Sequence, residues 1–319
     1  MARAATDQGH QVADLPRGQR RFGRGSSDRH WAMVRAARPR QWIKNLLVFA
    51  APGAAGVLTH GTELGRAGIA FGLFCLVASG TYFLNDALDA EADRKHPTKR
   101  LRPVAAGDVA RGTAIVTGAA LAGAGIALGY LFLGWKLGTV LAVYVAVTAS
   151  YSVWLKHEPV VELACVSSGF ILRAIAGGVA ARVVLSDWFI IVASFGALLV
   201  VAGKRSAEHA QLGDDRARHR PTLALYPPAF LRTVRLLAAT VTVTAYCLWS
   251  FQRAALLSHG HHPIWFELSI APFVMAVLHL ELRFESGQGA APEELAVGDR
   301  SLQALGAAWL VLFVLGVYW

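Results

Sequence analysis

Long apolar runs separated by short charged stretches constrain this chain more than any other feature. A segment buried in hydrocarbon must satisfy its own backbone polar groups, which leaves only helices and closed barrels. A helix needs about 20 mostly apolar residues to cross a core of about 30 Å. Nine segments approach that length, near 42–59, 66–88, 112–133, 137–154, 159–181, 187–203, 231–251, 264–280 and 302–319. The alternating segments of about ten residues that mark a barrel are absent. The expected fold is therefore all-α, a polytopic membrane bundle of about nine transmembrane helices. Pro52 and Pro272 are expected to kink the first and eighth. Composition agrees, with 55% hydrophobic and 16% charged residues.

The basic residues set the orientation. With the amino terminus inside, the cytoplasmic stretches 1–44, 89–111, 155–158, 204–235 and 281–301 hold 26 of the 31 Lys and Arg residues. The opposite side holds only Arg66, Lys136, Arg182 and Arg253, and Arg173 lies within a span. This bias predicts a multi-pass protein of the inner (plasma) membrane with a cytoplasmic amino terminus. It also accounts for the net charge of +10 as topology and attraction to anionic headgroups, with no nucleic-acid partner needed. Residues 1–30 are polar, lack the apolar core of a signal peptide, and read as a disordered cytoplasmic tail before a catalytic domain over 31–319. Cys75, Cys165 and Cys247 all fall in apolar spans without metal-ligand spacing, as small packing residues do.

Chemistry is expected where polar residues gather at the cytoplasmic helix ends. The second span ends in Asn85-Asp86-Ala87-Leu88-Asp89-Ala90-Glu91-Ala92-Asp93. On a helix Asp86 and Asp93 lie about 20° apart and Asp89 about 60° from Asp86, so three carboxylates share a face. Unpaired they repel, which implies a cation partner; hard oxygen ligands suit Mg2+ bridging to phosphate. A solvated acidic helix end is the plainer alternative. Arg94, Lys95, Lys99, Arg100 and Arg102 follow, with Pro97 and Pro103 breaking the helix. Carboxylates for Mg2+ beside cations for phosphate oxygens make a diphosphate site.

Three further clusters stand out. Gly203-Lys204-Arg205-Ser206-Ala207-Glu208 opens the loop expected after the sixth span, followed by Asp214, Asp215, Arg218, Arg220 and Tyr226. Snorkelling at a helix end is its bland reading. Arg38-Pro39-Arg40-Gln41-Trp42-Ile43-Lys44-Asn45 leads into the first span, with Trp42 as an interface anchor and Lys44 and Asn45 as candidate phosphate ligands. Lys156-His157-Glu158-Pro159-Val160-Val161-Glu162 runs into the fifth span. Glu162 and Arg173 are about three turns apart and share a face, where intramembrane charges either pair or bind a ligand.

The pattern of Asn85, Asp86, Asp89 and Asp93 before a basic loop resembles the UbiA superfamily of intramembrane prenyltransferases, over about residues 35–319. The resemblance implies nine helices around a central cavity open to the cytoplasm. Typical members carry a second aspartate-rich motif after the sixth span; here Lys204, Arg205 and Glu208 stand instead. That departure, with RPRQWIKN, NDALDAEADRKHPTKRLRP, YSVWLKHEPVVE, SGFILRAIAGG and GKRSAE, is similar to the decaprenyl-phosphate phosphoribosyltransferases of actinobacterial cell-wall synthesis.

That branch implies transfer of 5-phosphoribosyl from phosphoribosyl diphosphate to a polyprenyl phosphate, releasing diphosphate, for arabinan precursors. The resemblance further implies Mg2+ on Asp86, Asp89 and Asp93. It implies substrate contacts from Lys44, Asn45, Asn85, Lys95, Lys99, Arg100, Arg102, Tyr151, Lys156, Glu162, Arg173, Lys204, Arg205 and Glu208. A donor charged at both ends needs cations in two places, the basic loop and Lys204 with Arg205. An anionic acceptor phosphate demands no strong general base. The partners expected are this donor, the lipid phosphate and the membrane, with a homo-oligomer left open. Prenyl transfer to an aromatic acceptor is the competing activity. A secondary transporter fits less well because no internal repeat is visible.

Overall fold

The computed structural model describes residues 26–212, 221–256 and 264–319. Most of the expected tail, together with Asp214, Asp215, Arg218 and Arg220, lies outside the described residues. Every regular element among the described residues is a helix. Eight are long and apolar enough to cross a membrane: α3 (Gly61–Leu88), α5 (Arg111–Leu133), α6 (Trp135–Val153), α7 (Val161–Ala180), α8 (Asp187–Leu212), α10 (Pro228–Leu256), α11 (Ile264–Glu285) and α13 (Arg300–Tyr318). The short helices are α1 (Ser26–Ala37), α2 (Ala50–Ala54), α4 (Ala90–Lys95), α9 (Pro221–Ala224) and α12 (Pro292–Gly298). Pro272 lies inside α11 without ending it.

The first expected span, 42–59, is corrected. It is a 3-10 helix from Pro39 to Phe49 followed by the five-residue α2, which carries Pro52 and Gly53. The two buried residues of the 3-10 helix, Asn45 and Val48, are three positions apart, one turn of a 3-10 helix. The segment nevertheless keeps the reach of a span. Eleven residues rising about 2.0 Å each and five rising about 1.5 Å cover about 30 Å.

Two groups of helices pack on either side of α7. On one side α3 crosses α5 closely at Gly80 and Gly118, where a Cβ on either glycine would meet the other's carbonyl at 2.7 and 2.9 Å. Phe74, Val77, Leu137, Leu141 and Tyr144 fill the core between α3, α6, α7 and the 3-10 helix. On the other side α8 packs along α10, with Leu199, Ala238, Val277 and Phe284 buried between them and α11. Large side chains such as Leu131, Phe132, Leu310 and Val311 face outward, as a lipid-contacting surface requires.

Between α7, α8, α10, α11 and α13 lies an apolar cavity of about 630 Å³, lined by Phe170, Trp188, Tyr246, Trp249, Phe273 and Trp309 among others. Trp188 opens α8 and Arg205 stands near its other end, about 26 Å away at 1.5 Å per residue. The cavity therefore reaches the half of the bundle remote from the acidic helix ends.

Candidate active site

The acidic motif sits where α3 stops. The helix ends at Leu88, Asp89 adopts φ −88° and ψ 2°, and α4 begins at Ala90. The three carboxylates therefore do not share one continuous helical face. Asp86, 1% exposed, accepts through Oδ1 from the guanidinium of Arg38 and from Arg102 Nη1 at 3.4 Å. The same Arg102 nitrogen donates to Asp93 Oδ2 at 2.7 Å, so one cationic nitrogen joins Asp86 and Asp93. Asp89 turns away and takes Lys156 Nζ at 2.8 Å. Arg38, Arg102 and Lys156 balance the charge of the three carboxylates.

Local contacts hold these cations in place. Arg94 Nε donates to the Ala105 carbonyl at 3.2 Å and ties down the basic loop. Lys95 and Arg100 are exposed, while Asn85 and Lys99 are half-buried beside the motif. Lys156 lies on the short 3-10 turn Leu155–His157. Thr222 Oγ1 donates to its carbonyl at 2.6 Å, and Val160 N–H donates to the Tyr226 hydroxyl at 2.8 Å. Residues from beyond α8 thereby anchor the backbone of the turn that carries Lys156.

The expected second cluster is not on a loop, because α8 continues through it to Leu212. Arg205 is 3% exposed and bonds Glu162 through Nε at 2.8 Å and Nη2 at 3.0 Å. Its Nη1 donates to Glu208 Oε2 at 2.8 Å. Arg205 is thus committed to two carboxylates rather than open to a donor phosphate. Lys204, on the neighbouring helix position, is half-exposed with Nζ 3.9 Å from Glu208. Tyr151 is half-buried near the end of α6.

Glu162 and Arg173 do not pair. Eleven residues along α7 separate them by about 16 Å, beyond the reach of either side chain. Arg173 instead donates to Asn45 Oδ1 at 2.7 Å, the Gly169 carbonyl at 2.6 Å and the Tyr144 hydroxyl at 3.0 Å. Asn45 is fully buried, so it faces Arg173 rather than a phosphate; Lys44 beside it is half-buried. Trp42 is no simple interface anchor, since its Nε1 donates to Ser79 Oγ at 3.1 Å.

Arg38 is the site residue that sequence reasoning missed. It stands 48 positions before Asp86, and its guanidinium also lies 5.0 Å from the Tyr82 ring centre. Its one local signal is the following Pro39, which disfavours α-helical geometry at the residue before it; Arg38 adopts φ 53° and ψ 60°.

Among the described residues no three His, Cys, Asp or Glu side chains form a ready metal cage. The motif nevertheless fits Mg2+. Asp86 Oδ2 is buried without a hydrogen-bond partner, and the donor set is purely hard oxygen. Mg2+ generally keeps waters and shares phosphate oxygens, so one or two carboxylates suffice.

A family model described as the UbiA prenyltransferase family matches residues 46–296. The decaprenyl-phosphate phosphoribosyltransferase of Corynebacterium glutamicum is 45% identical over 294 residues, covering 90% of this chain and 86% of that protein. The protein of the same name from Mycolicibacterium smegmatis is 42% identical, covering 90% and 92%. A solved UbiA homolog from Archaeoglobus fulgidus bound to GPP and Mg2+ superposes with a TM-score of 0.68 at 16% identity, covering 89% of this chain and 98% of that one. At that identity the likeness is one of fold.

Proposed function

Because this chain belongs to the UbiA prenyltransferase family, we propose that it transfers 5-phosphoribosyl from phosphoribosyl diphosphate to a polyprenyl phosphate, decaprenyl phosphate by analogy with its named relatives. The product serves cell-wall arabinan synthesis in this reading. The observation that carries it is the pairing of Asp86 and Asp93 around Arg102, with an unpartnered Asp86 oxygen and Arg38 alongside. Such a site fits a diphosphate with its divalent ion. The 42–45% identity to the named phosphoribosyltransferases supports the phosphoribosyl donor over a prenyl one.

Asp86 and Asp93 would hold Mg2+, which when bound would neutralise charge on the departing diphosphate, while Asp89 fixes Lys156 beside them. Arg38 and Arg102 orient the diphosphate oxygens, and Lys95, Lys99 and Arg100 surround it with positive charge. Such fixed charge stabilises the leaving group as the anomeric carbon becomes oxocarbenium-like. Lys204 meets the donor's distal phosphate, and Glu208 accepts from ribose hydroxyls. The acceptor phosphate is anionic near neutral pH, and its oxygen attacks without a strong base. The apolar cavity beneath suits part of a polyprenyl chain. The acidic end is read as cytoplasmic in the plasma membrane, supported by the placement of 26 of the 31 Lys and Arg residues.

Supplying purified protein with labelled phosphoribosyl diphosphate and polyprenyl phosphate tests this. Label should enter a lipid product, and ribose 5-phosphate should give none. Efficient prenylation of an aromatic acceptor, with no labelled phosphoribosyl lipid under matched conditions, would favour the competing activity.

A further inference from the structure

Arg173 is 5% exposed within α7, yet all of its hydrogen-bond acceptors are neutral: Asn45 Oδ1, the Gly169 carbonyl and the Tyr144 hydroxyl. Its guanidinium also lies 5.5 Å from the Phe74 ring centre and 4.9 Å from that of Tyr144. A charge inside a membrane bundle without a carboxylate partner is costly, and apolar packing would fill the same volume with less penalty. What an apolar residue cannot do is hydrogen-bond several elements at once. Arg173 bonds the 3-10 helix, α6 and its own helix, and lies over the Phe74 ring of α3.

The 3-10 helix needs such a tie. It runs for 11 residues, whereas stretches beyond three or four are uncommon because the hydrogen-bond geometry is poor. Contacts at three of its positions tie it to the bundle. Trp42 bonds Ser79 on α3; Asn45 bonds Arg173 on α7 and donates to Cys75 Sγ at 3.2 Å; the Val48 carbonyl lies against Gly177, where a Cβ would stand 1.6 Å away. These positions are three apart, so they align on one face at 3.0 residues per turn. At the α-helical 100° per residue, Trp42 and Val48 would diverge by about 120°. The contacts therefore select the 3-10 pitch.

Arg38 immediately precedes this segment and bears on Asp86. Relaxation to the α-helical rise would shorten the six steps from Pro39 to Asn45 by about 3 Å, more than a hydrogen bond tolerates. We infer that Arg173 is a positioning residue for donor binding: by holding Asn45 it keeps residues 39–49 at the pitch that sets the Arg38 guanidinium on Asp86. The inference rests on the phosphoribosyl-transfer reading of that site. Arg173 itself touches no substrate.

The test uses the full-length protein in nanodiscs, with Arg173→Gln, Asn45→Ala, Arg38→Gln and the Arg38→Gln/Arg173→Gln pair. Arg173→Gln and Asn45→Ala should raise the KM for phosphoribosyl diphosphate about tenfold or more while leaving that for polyprenyl phosphate within about twofold. The paired variant should be no worse than Arg38→Gln alone, because both losses pass through one guanidinium. Equal effects on both KM values, or full additivity with Arg38→Gln, would overturn the inference. If Arg173→Gln fails to fold, Asn45→Ala decides, since it keeps the arginine. Binding of inorganic diphosphate with Mg2+ should weaken in the same variants by the same factor. That measurement stands even if the wild type transfers no label, a result that would sink only the reading of the reaction.

Discussion

Removing Glu162 should cost more stability than removing any other carboxylate near the site. Its side chain is fully buried, that of Arg205 is 4% exposed, and two bonds of 2.8 and 3.0 Å join them across the α7–α8 interface. Taking one partner from a buried pair costs about 3–5 kcal/mol, because the other charge is left uncompensated. Arg205 keeps Glu208 at 2.8 Å, so the lower end applies to Glu162→Gln, about 3 kcal/mol. At about 2–4 °C per kcal/mol, its Tm in detergent should fall by about 6–12 °C at fixed protein and lipid concentrations. Glu208, with its side chain 24% exposed, is the internal control. Glu208→Gln should cost at most about 1 kcal/mol, since a water-accessible pair gains little. Replacing both members, as Glu162→Leu with Arg205→Met, should recover most of the loss, because no charge remains buried. A Tm change below about 2 °C for Glu162→Gln, or a greater loss for Glu208→Gln than for Glu162→Gln, would refute the buried-pair argument.

Other outcomes follow from the same geometry. Asp86→Asn and Asp93→Asn should each lower turnover about a hundredfold or more, and excess chelator should abolish it; full activity in chelator would refute the metal role. Lys204→Ala should weaken donor affinity without shifting Tm, whereas Arg205→Ala should lose folded protein first, distinguishable by donor binding per folded molecule. Asp299 caps α13 by accepting from Leu302 N–H at 3.0 Å and also meets His279 and Arg283, which holds its carboxyl well below the usual range. A depressed carboxyl contributes stability above its unfolded pKa, near 4, and loses it as pH falls through the folded value. The Tm gap between wild type and Asp299→Asn should therefore hold from pH 7 to about 5 and close only in stronger acid.

Helix positions were legible because hydrocarbon burial writes itself into the chain as length and apolarity. Eight runs became spanning helices for that reason, including the one interrupted by Pro272. The first run failed as an α-helix because length and hydropathy do not report pitch. In its 3-10 part Trp42, Asn45 and Val48 stand three apart, a spacing that acquires meaning only once Ser79, Arg173 and Gly177 supply the contacts.

At the site, the acidic motif, its basic loop and the Lys204–Glu208 cluster could be read from residue type and spacing. Their pairings could not. Shared helical phase suggested Glu162 with Arg173, yet rise along the axis separates them, and each found its partner on another helix 43 and 128 residues away in sequence. Arg38 reached Asp86 across 48 residues by a route no local pattern encodes. The chain by itself determined membrane residence, helical class and the kinds of charge gathered at one end, since these follow from local composition and a fixed rise per residue. Which cation meets which carboxylate was decided only in the folded bundle, because a buried charge takes whichever partner the packing of distant helices brings within about 3 Å.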